Sequence, residues 1–329
     1  MRKSILITFI LLITMTFSSF IFAASPAETY FDEGHYYYQK GDFNNAVLSY
    51  TKAIEINKDF ALAYYNRGIS YYYQSQFDKA IQDYSTAIKI DPNDPKPYNG
   101  RGLVYNRQGQ FDKAIYEYST AIKLDSNFAN AYNNRGLTYL NQKQFDKAIA
   151  DFSTMIKLDP NDALAYYNRG LVYDRQQQFS RAIHEYSISI KLDPNYTNAY
   201  NNRGLMHLSQ NQLDKAFSDF NTAIKLDPND ADIYGNRGLV YIYQNQLDKA
   251  LLDFNTAIKL NPNDPANFTN RGSIYIYQKQ YNKAISDFSA AIKISPNYAV
   301  AYKNRCIAYR DLGNLEAAKK DFDMYEKLK

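Results

Sequence analysis

The sequence repeats itself every 34 residues, and this period constrains the fold more than any other feature. The tripeptide Asn-Arg-Gly recurs along the chain, with Gly-Arg-Gly and Asn-Arg-Cys as variants. Its arginines are always 34 residues apart: Arg67, Arg101, Arg135, Arg169, Arg203, Arg237, Arg271 and Arg305. When the glycine is placed at position 8, the repeats begin at residues 27, 61, 95, 129, 163, 197, 231, 265 and 299. Nine repeats therefore account for 27–329, and we expect no second folded domain, although the length alone would suggest two.

Within each repeat, apolar residues follow two helical patterns. The first has an aromatic residue at position 4, a small residue at position 8 and tyrosine at position 11, as on one helix face. The second has an apolar residue at position 17, alanine at position 20 and an aromatic residue at position 24. Polar residues at positions 15 and 16 separate the patterns, and proline-bearing segments such as DPND at 159–162 end the repeat. The sequence predicts an all-α array of about nine helical hairpins.

This pattern resembles that of the tetratricopeptide repeat (TPR) proteins. The period of 34, the aromatic residues at positions 4 and 24, Gly at 8, Tyr at 11, Ala at 20 and Pro at 32 are what that family shows. The resemblance covers the chain beyond residue 26. It implies a right-handed α-solenoid superhelix whose first helices line a concave groove. One departure is systematic, because position 7, usually leucine in the family, is arginine in eight of the nine repeats.

Position 8 is predicted to lie where the two helices of a hairpin approach each other. Glycine costs a helix interior about 1 kcal/mol relative to alanine, so its recurrence needs a packing reason. We expect Gly170 to pack against Ala182 at position 20 and Tyr186 at position 24. Cys306 occupies position 8 of the last repeat, where we expect a buried small residue.

The arginine at position 7 is predicted at the edge of the buried face, where a charge needs a partner. Position 23 holds an acid in every repeat that has this arginine, whereas the first repeat lacks both, with Glu33 and Ser49. Lysine at position 19 is an alternative partner for the acid, at i, i+4. The last repeat has Ala317 there and keeps the other two charges, which favours the arginine–acid pair. We predict structural ion pairs such as Arg67–Asp83, Arg169–Glu185 and Arg305–Asp321.

Asparagine recurs at position 6 and carries the functional hint. Seven asparagines sacrifice about 4 kcal/mol of helix propensity relative to alanine, on a side turned away from the hairpin core. In several members of the resembled family, asparagine here holds the backbone of a bound peptide, because an amide both donates and accepts hydrogen bonds. The alternative is that the amides bond to neighbouring first helices and only stiffen the array. The candidate peptide-binding ladder is Asn66, Asn134, Asn168, Asn202, Asn236, Asn270 and Asn304.

Other positions on the same side vary from repeat to repeat, as positions that determine specificity would. They suggest a weakly basic centre flanked by aromatic patches. The alternative is unselected variation on a solvated face. The candidate groove residues are Lys96, Arg107, Arg175, Tyr73, Tyr243 and Tyr277.

The N-terminus has the features of an export signal. Arg2 and Lys3 precede an apolar stretch, and Ala23 ends a plausible cleavage site. We predict a signal peptide at 1–23, a linker at 24–26 and the repeat array at 27–329, in a periplasmic or secreted bacterial protein. The alternative is an uncleaved N-terminal membrane anchor, since residues 5–24 hold no charge. After cleavage we expect no membrane insertion.

Several function classes find no support in the sequence. Its three histidines occupy different repeat positions without metal-ligand spacing, and no phosphate-binding loop or nucleophile elbow occurs. The nearly balanced charge, 38 basic against 34 acidic residues, argues against nucleic acid as partner. We therefore predict a non-enzymatic scaffold without cofactors, monomeric, that binds a protein or peptide in its groove. The alternatives are association with a polysaccharide and a structural bridge that binds through its outer face.

Overall fold

A computed structural model describes residues 25–329, and the predicted signal peptide lies outside this range. Within it the chain forms eighteen α-helices and no β-strand. The helices alternate between the first and second helix of successive hairpins: α1 (Pro26–Gln39), α2 (Phe43–Ile56), α3 (Ala61–Tyr73), α4 (Phe77–Ile90), α5 (Pro95–Arg107), α6 (Phe111–Leu124), α7 (Ala129–Asn141), α8 (Phe145–Leu158), α9 (Ala163–Arg175), α10 (Phe179–Leu192), α11 (Thr197–Ser209), α12 (Leu213–Leu226), α13 (Ala231–Tyr243), α14 (Leu247–Leu260), α15 (Pro265–Tyr277), α16 (Tyr281–Ile294), α17 (Ala299–Asp311) and α18 (Leu315–Leu328).

The prediction of an all-α array of about nine hairpins is therefore confirmed for the described residues. The chain divides into two compact units, one up to Lys113 and the other from Ala114 to Lys329. Within each unit, the second helix of a hairpin packs against the first helix of the next, so the hairpins stack in sequence order.

The core is built from the invariant alanine at position 20 and the ring at position 24. In the hairpin α9–α10, Ala182 and Tyr186 are fully buried, and Met206 of the following first helix closes over them. The same arrangement recurs around Phe254 of α14, which packs with Ala250 of its own helix and with Ile274 of the following first helix. Burial of such a side chain contributes roughly 1.5–3 kcal/mol, so each ring ties two hairpins together.

Gly170 shows why position 8 must be small. A β-carbon at Gly170 would lie 2.7 Å from Cε1 of Tyr186, closer than real β-carbons come to other atoms. The expected contact with position 24 is therefore present. The expected contact with Ala182 is not among the nearest, because the β-carbon of Glu185, at 3.3 Å, lies closer. Position 8 thus faces positions 23 and 24 of the second helix.

The turns follow local side-chain chemistry. Between the helices of one hairpin, position 15 adopts a left-handed conformation, with φ of 57° at Gln177 and 73° at Gly109. Between hairpins, Asp159 Oδ1 accepts a hydrogen bond from Asn161 N (2.9 Å), and Asp162 Oδ1 caps α9 by accepting from Leu164 N (2.9 Å). Such turns satisfy backbone donors that a helix start leaves without partners.

The first helix begins one residue earlier than the predicted array. Ser25 and Glu28 form a capping box, in which Glu28 N donates to Ser25 Oγ (3.3 Å) and Ser25 N donates to Glu28 Oε2 (2.7 Å). Pro26 occupies the first helical turn, where its missing N–H costs nothing. Pro26 therefore belongs to α1 rather than to the predicted linker. None of the helices within 25–329 is long and apolar enough to cross a bilayer.

Candidate functional site

The arginine at position 7 connects three helices. Arg237 Nε and Nη2 donate to Asp253 Oδ2 (2.8 Å) and Oδ1 (2.7 Å) on the second helix of its own hairpin. Its Nη1 donates to Asn221 Oδ1 (2.6 Å) on the second helix of the preceding hairpin. Six further arginine–acid pairs at these positions have distances of 2.6–2.9 Å: Arg67–Asp83, Arg135–Asp151, Arg169–Glu185, Arg203–Asp219, Arg271–Asp287 and Arg305–Asp321.

The residue that accepts from arginine Nη1 on the preceding hairpin lies at position 25, a position not among those predicted from the sequence. Arg67 Nη1 donates to Thr51 Oγ1 (3.0 Å), and Arg203 Nη1 donates to Ser187 Oγ (3.0 Å). Position 25 is Ser, Thr or Asn in the first eight repeats, a restriction that was visible in the sequence. Each arginine thus fixes its own hairpin and the register of the preceding one.

Replacement of aspartate by glutamate at position 23 changes the geometry of the pair. Arg169 Nη2 donates to both Glu185 Oε1 (2.9 Å) and Oε2 (3.0 Å), and Arg169 Nε is buried without a partner. Because the glutamate side chain is one methylene longer than that of aspartate, both carboxylate oxygens of Glu185 accept from Nη2, and neither accepts from Nε. The aspartate pairs make the two parallel hydrogen bonds that are the strongest form of this contact.

Lys147 and Lys249, at position 19, contact a tyrosine and a glutamine. Lys147 Nζ lies 5.3 Å from the ring centroid of Tyr139 at position 11 and donates to Gln144 Oε1 (2.7 Å). Lys249 makes the same two contacts, with Tyr241 (5.6 Å) and Gln246 (2.7 Å). In these two repeats the acid pairs with the arginine rather than with the lysine.

Tyrosines at positions 4 and 11 flank the guanidinium. Arg237 Cζ lies 5.7 Å from the ring centroid of Tyr234 and 5.8 Å from that of Tyr241. These rings are half-buried, whereas the ring at position 24, as in Tyr186, is fully buried. Most tyrosines at positions 4 and 11 therefore remain half-buried, because each packs on a neighbouring cation.

Electrostatics in this ladder follow from burial and pairing. The hydrogen bond to its acid raises the pKa of Arg237, as it does for Arg271 and Arg305. Burial raises the pKa of Asp83, because removal from water disfavours the charged carboxylate, whereas the hydrogen bonds and the charge of Arg67 lower it. The pairing with Arg67 therefore stabilises the ionised form of Asp83 against the effect of burial.

The asparagines of position 6 lie at the seam between successive first helices. Asn168 Nδ2 donates to Asn133 Oδ1 (2.7 Å) of the preceding first helix, and Asn168 is only 3% exposed. Asn202 Nδ2 donates to Tyr167 Oη (3.0 Å), and Asn236 Nδ2 donates to Asn201 Oδ1 (2.9 Å). Their Oδ1 atoms accept no hydrogen bond from residues 25–329. The donor of each amide is thus engaged within the array; Asn168 is buried, whereas Asn202 and Asn236 are half-buried.

The other members of the ladder are placed differently. Asn304 Nδ2 donates to Ser273 Oγ (3.4 Å), and Asn66 Nδ2 donates to Leu62 O (3.0 Å) of its own helix. Asn134 and Asn270 are half-buried. The ladder is therefore a set of partly covered amides rather than a row of free ones.

Position 13, at the C-terminal end of each first helix, carries the exposed side chains. Tyr73, Tyr243 and Tyr277 are 55%, 66% and 71% exposed. Arg107, also exposed, donates from Nε to Tyr72 Oη (3.2 Å). Lys96, near the start of α5, is exposed as well.

Arg175 lies at position 13 of the fifth repeat, beside a cleft. The cleft has a volume of about 540 Å³ and is lined by Leu140, Asn141, Lys143, Phe145 and Arg175. It lies between the C-terminal ends of two successive first helices. The first-helix surface therefore offers aromatic rings, cations and one cleft.

Cys306 is half-buried, not buried as predicted. In the preceding repeats, the ring at position 24 is covered by the next first helix, whereas α18 is the last helix that the structure describes. Phe322, at position 24 of this helix, is 50% exposed. The remaining burial raises the pKa of the Cys306 thiol.

Within the described part of the chain, no group of three or more His, Cys, Asp or Glu side chains is arranged to hold a metal ion. His207 replaces tyrosine at position 11, where its Nδ1 lies 2.9 Å from Gln212 Oε1 and its Nε2 lies 3.9 Å from Asp219 Oδ2. Burial lowers the pKa of His207.

Family comparisons agree with this architecture. Models described as "TPR repeat" match residues 34–75, 69–109, 102–143 and 204–244, and models described as "Tetratricopeptide repeat" match 129–162, 163–196, 231–264 and 268–298. The chain belongs to the tetratricopeptide repeat family. TPR proteins act as protein-interaction scaffolds, and none of the matching models describes an enzyme. A comparison with curated proteins gave no significant match.

Solved structures share the TPR fold at low sequence identity. The APC/C hetero-tetramer Cut9–Hcn1 is 20% identical with a TM-score of 0.62, over 81% of this chain and 52% of that one. The chain therefore spans about half the length of that relative. A tetratricopeptide repeat protein of Parabacteroides merdae is 19% identical (TM-score 0.52; 86% and 98% coverage), and Pseudomonas aeruginosa PilF is 19% identical (TM-score 0.56; 61% and 91%). At these identities the likeness concerns the fold alone.

Proposed function

We propose that this TPR protein is a non-enzymatic scaffold that binds an extended segment of a partner protein along the surface of its first helices. The observation that carries the proposal is the set of exposed tyrosines and arginines at position 13. The fold does not require them, because other repeats have Gln39, Asn141, Ser209 and Asp311 at the same position. Tyrosine and arginine are enriched in the residues that supply most binding energy at protein interfaces.

The half-covered asparagines suit a backbone contact. The Oδ1 atoms of Asn202 and Asn236, which are half-buried, would accept hydrogen bonds from peptide N–H groups, while their Nδ2 atoms hold the amides in place. Because a peptide N–H is the same in every residue but proline, this contact is tolerant of sequence. Side chains at position 13 would then supply the preference for one partner.

Two matched double variants test the binding surface. Peptides selected from a random library on residues 24–329 serve as probes. Tyr243→Ser with Tyr277→Ser changes the first helices, and Ser209 shows that serine is accepted at position 13. Tyr116→Ser with Leu252→Ser changes the second helices at position 22, where both residues are more than 60% exposed and other repeats have Ser218 and Ser286. We expect the first variant to bind at least about tenfold more weakly and the second to bind normally. The reverse pattern would favour a bridge that binds through its outer face.

A polysaccharide partner is the second candidate, favoured by one observation. The ring of Tyr73 stacks on that of Phe43 with centroids 4.9 Å apart and planes within 5°, and Tyr73 remains half exposed. A flat aromatic surface of this kind suits the C–H face of a sugar ring. Titration of oligosaccharides into wild type and into Tyr73→Gln distinguishes a polysaccharide partner from a protein partner. Glutamine is chosen because Gln39 occupies the same position in the first repeat. Saturable binding lost in the variant would support the polysaccharide.

We also propose that the protein acts after export, in the periplasm or outside the cell. The support is the charged start, apolar stretch and small residues of 1–23. N-terminal sequencing of the protein from its native host tests this proposal. A start at Ala24 means cleavage, whereas an intact N-terminus in the membrane fraction means the alternative anchor.

A further inference from the structure

The cleft beside Arg175 is lined by two cationic side chains and, among the described residues, by no acidic one. Its walls are Leu140 and Asn141 at the end of α7, Lys143 in the following turn, Phe145 at the start of α8 and Arg175 at the end of α9. All five lie in the second compact unit, and both cations are exposed. The cleft volume of about 540 Å³ is typical of ligand-binding sites.

The two cations have no ion-pair partner in the fold. Neither Lys143 nor Arg175 makes a hydrogen bond or an ion pair within residues 25–329. Burial raises the pKa of the neighbouring Asp174, and the charge of Arg175 lowers it, but Asp174 does not line the cleft. The N–H donors of both cations therefore remain available to a group that enters the cleft.

The turn does not require a lysine at position 15. Lys143 has a left-handed backbone there, with φ of 58°. Glycine adopts this conformation without steric cost, and asparagine tolerates it better than most residues. Other repeats accordingly have Gly109, Gly313, Asn211 and Asn245 at this position. The lysine therefore offers the turn no advantage over these residues.

The two cations are also a combination peculiar to this place in the sequence. The cleft takes position 13 of one repeat, position 15 of the same repeat and position 13 of the next. In the other repeats these three positions hold at most one cation. The last such set, for example, has Lys279 between Tyr277 and Asp311. The repeat pattern alone does not account for the pair.

The lining also defines the chemistry of a ligand. The guanidinium of Arg175 presents paired donors that match the two oxygens of a carboxylate, and the ammonium of Lys143 adds a second charge. Leu140 and Phe145, both half-buried, offer apolar contact beside these charges. Charge-assisted hydrogen bonds are about twice as strong as neutral ones, so a carboxylate suits this cleft better than an amide of the same shape.

We propose that this cleft binds the side-chain carboxylate of a glutamate or aspartate in the partner segment, with an apolar residue next to it. The inference rests on the proposed binding function and adds the chemistry of two partner residues. The carboxylate would accept from Arg175 and Lys143, and the apolar side chain would pack on Leu140 and Phe145.

A pair of nearly isosteric probes tests the cleft without knowledge of the partner. N-acetyl-leucyl-glutamyl amide carries one side-chain carboxylate, and N-acetyl-leucyl-glutaminyl amide has almost the same shape without charge. Each is titrated into ¹⁵N-labelled residues 24–329, and NMR follows the backbone amide of Lys143 and the Nε–H of Arg175. We expect saturable shifts with a dissociation constant of about 1–10 mM for the glutamyl probe, and binding at least about fivefold weaker for the glutaminyl probe. Equal binding of both, or no saturation with the glutamyl probe, would overturn the proposal.

A third probe distinguishes a side-chain carboxylate from a chain terminus. N-acetyl-leucyl-glutamine with a free C-terminus carries its single charge on the main chain. We expect it to bind more weakly than the glutamyl amide, because its carboxylate lies on the backbone rather than at the end of a side chain. Tighter binding of the free acid would overturn the assignment to a side chain.

Matched variants assign the response to the two cations. Lys143→Asn and Arg175→Ser introduce residues that the chain itself has at these positions, as Asn211 and Ser209, so both should remain as helical as wild type. We expect each to weaken binding of the glutamyl probe at least about threefold. Lys279→Asn is the control, because it removes a lysine at position 15 elsewhere, and it should bind the probe like wild type.

The probe comparison on wild type does not depend on any variant. Unchanged binding in Lys143→Asn and Arg175→Ser, or an equal loss in Lys279→Asn, would show that the probe responds to general positive charge and would reject the cleft. The tyrosine variants at position 13 test the binding function separately with library peptides. Failure of the dipeptide probes therefore removes the acidic subsite and leaves that test intact.

Discussion

Removal of a single arginine from the ladder is the most informative perturbation of the fold. Arg237→Leu introduces the residue that the TPR family usually has at position 7. It deletes two hydrogen bonds to Asp253 and one to Asn221. The carboxylate of Asp253, on a residue only 5% exposed, would then have no cation beside it.

The magnitude follows from that burial. Breaking a buried ion pair by removing one partner costs about 3–5 kcal/mol, because the remaining charge is buried without a partner. The leucine regains about 1–2 kcal/mol by packing between Tyr234 and Tyr241. We therefore expect Arg237→Leu to lower the free energy of unfolding by about 2–3 kcal/mol.

A double variant separates the charge from the packing. Arg237→Leu with Asp253→Ala leaves no unpaired charge, so we expect it to be more stable than Arg237→Leu alone and within about 1 kcal/mol of wild type. Arg310→Leu is the control, because Arg310 is 62% exposed in a surface pair with Asp311 and should contribute less than about 1 kcal/mol.

Hydrogen exchange is the appropriate assay. A repeat array need not unfold as one cooperative unit, so a single transition midpoint could conceal a local effect. Exchange of backbone amides in α13 and α14 reports the free energy of opening at the altered hairpin. If Arg237→Leu exchanges like wild type, or if the double variant is no more stable than the single one, the arginine ladder does not stabilise the array.

Three further predictions test other parts of the account. Gly170→Ala should destabilise by about 1 kcal/mol net, because overpacking against the buried Tyr186 ring outweighs the gain in helix propensity; Gly109→Asn, at a turn position that is Asn in two other repeats, should be nearly neutral, and denaturation of both variants checks this. His207→Tyr should remove a pH dependence of stability. Burial lowers the pKa of His207 in the folded protein below its ordinary value of 6.5, so the unfolded chain binds the proton more tightly and wild-type stability should fall as pH drops below that value. The same dependence of stability on pH between 7 and 5.5 in the variant as in wild type would contradict this. Cys306 should react with iodoacetamide more slowly in the folded protein than in urea, with a rate that rises above pH 9, because its raised pKa lowers the thiolate fraction; equal rates would contradict this.

The sequence was sufficient for the helices and for much of their packing. The period of 34 residues located each hairpin, and the glycine at position 8 indicated close approach to the ring at position 24. It could not show that Glu185 lies closer to Gly170 than Ala182 does, because that depends on how the two helices are rotated. It also could not show that Cys306 is half-buried and that Phe322 is 50% exposed.

The binding surface was less predictable. A helical wheel places Asn168 away from its own hairpin but says nothing about the neighbouring hairpin, whose Asn133 accepts its hydrogen bond. The partner of Arg237 at position 25 lies 16 residues upstream in another repeat, and only its restriction to Ser, Thr or Asn could have indicated it.

The central claim is that a partner segment lies along the first helices, and site-specific photo-cross-linking tests it most directly. A photoreactive phenylalanine analogue replaces Tyr277 on α15 in one protein and Tyr116 on α6 in another, positions with 71% and 69% exposure. Both are irradiated with the same library-selected peptide. We predict cross-links at residue 277 and none at residue 116. Cross-links confined to residue 116 would place the partner on the second helices and contradict the account.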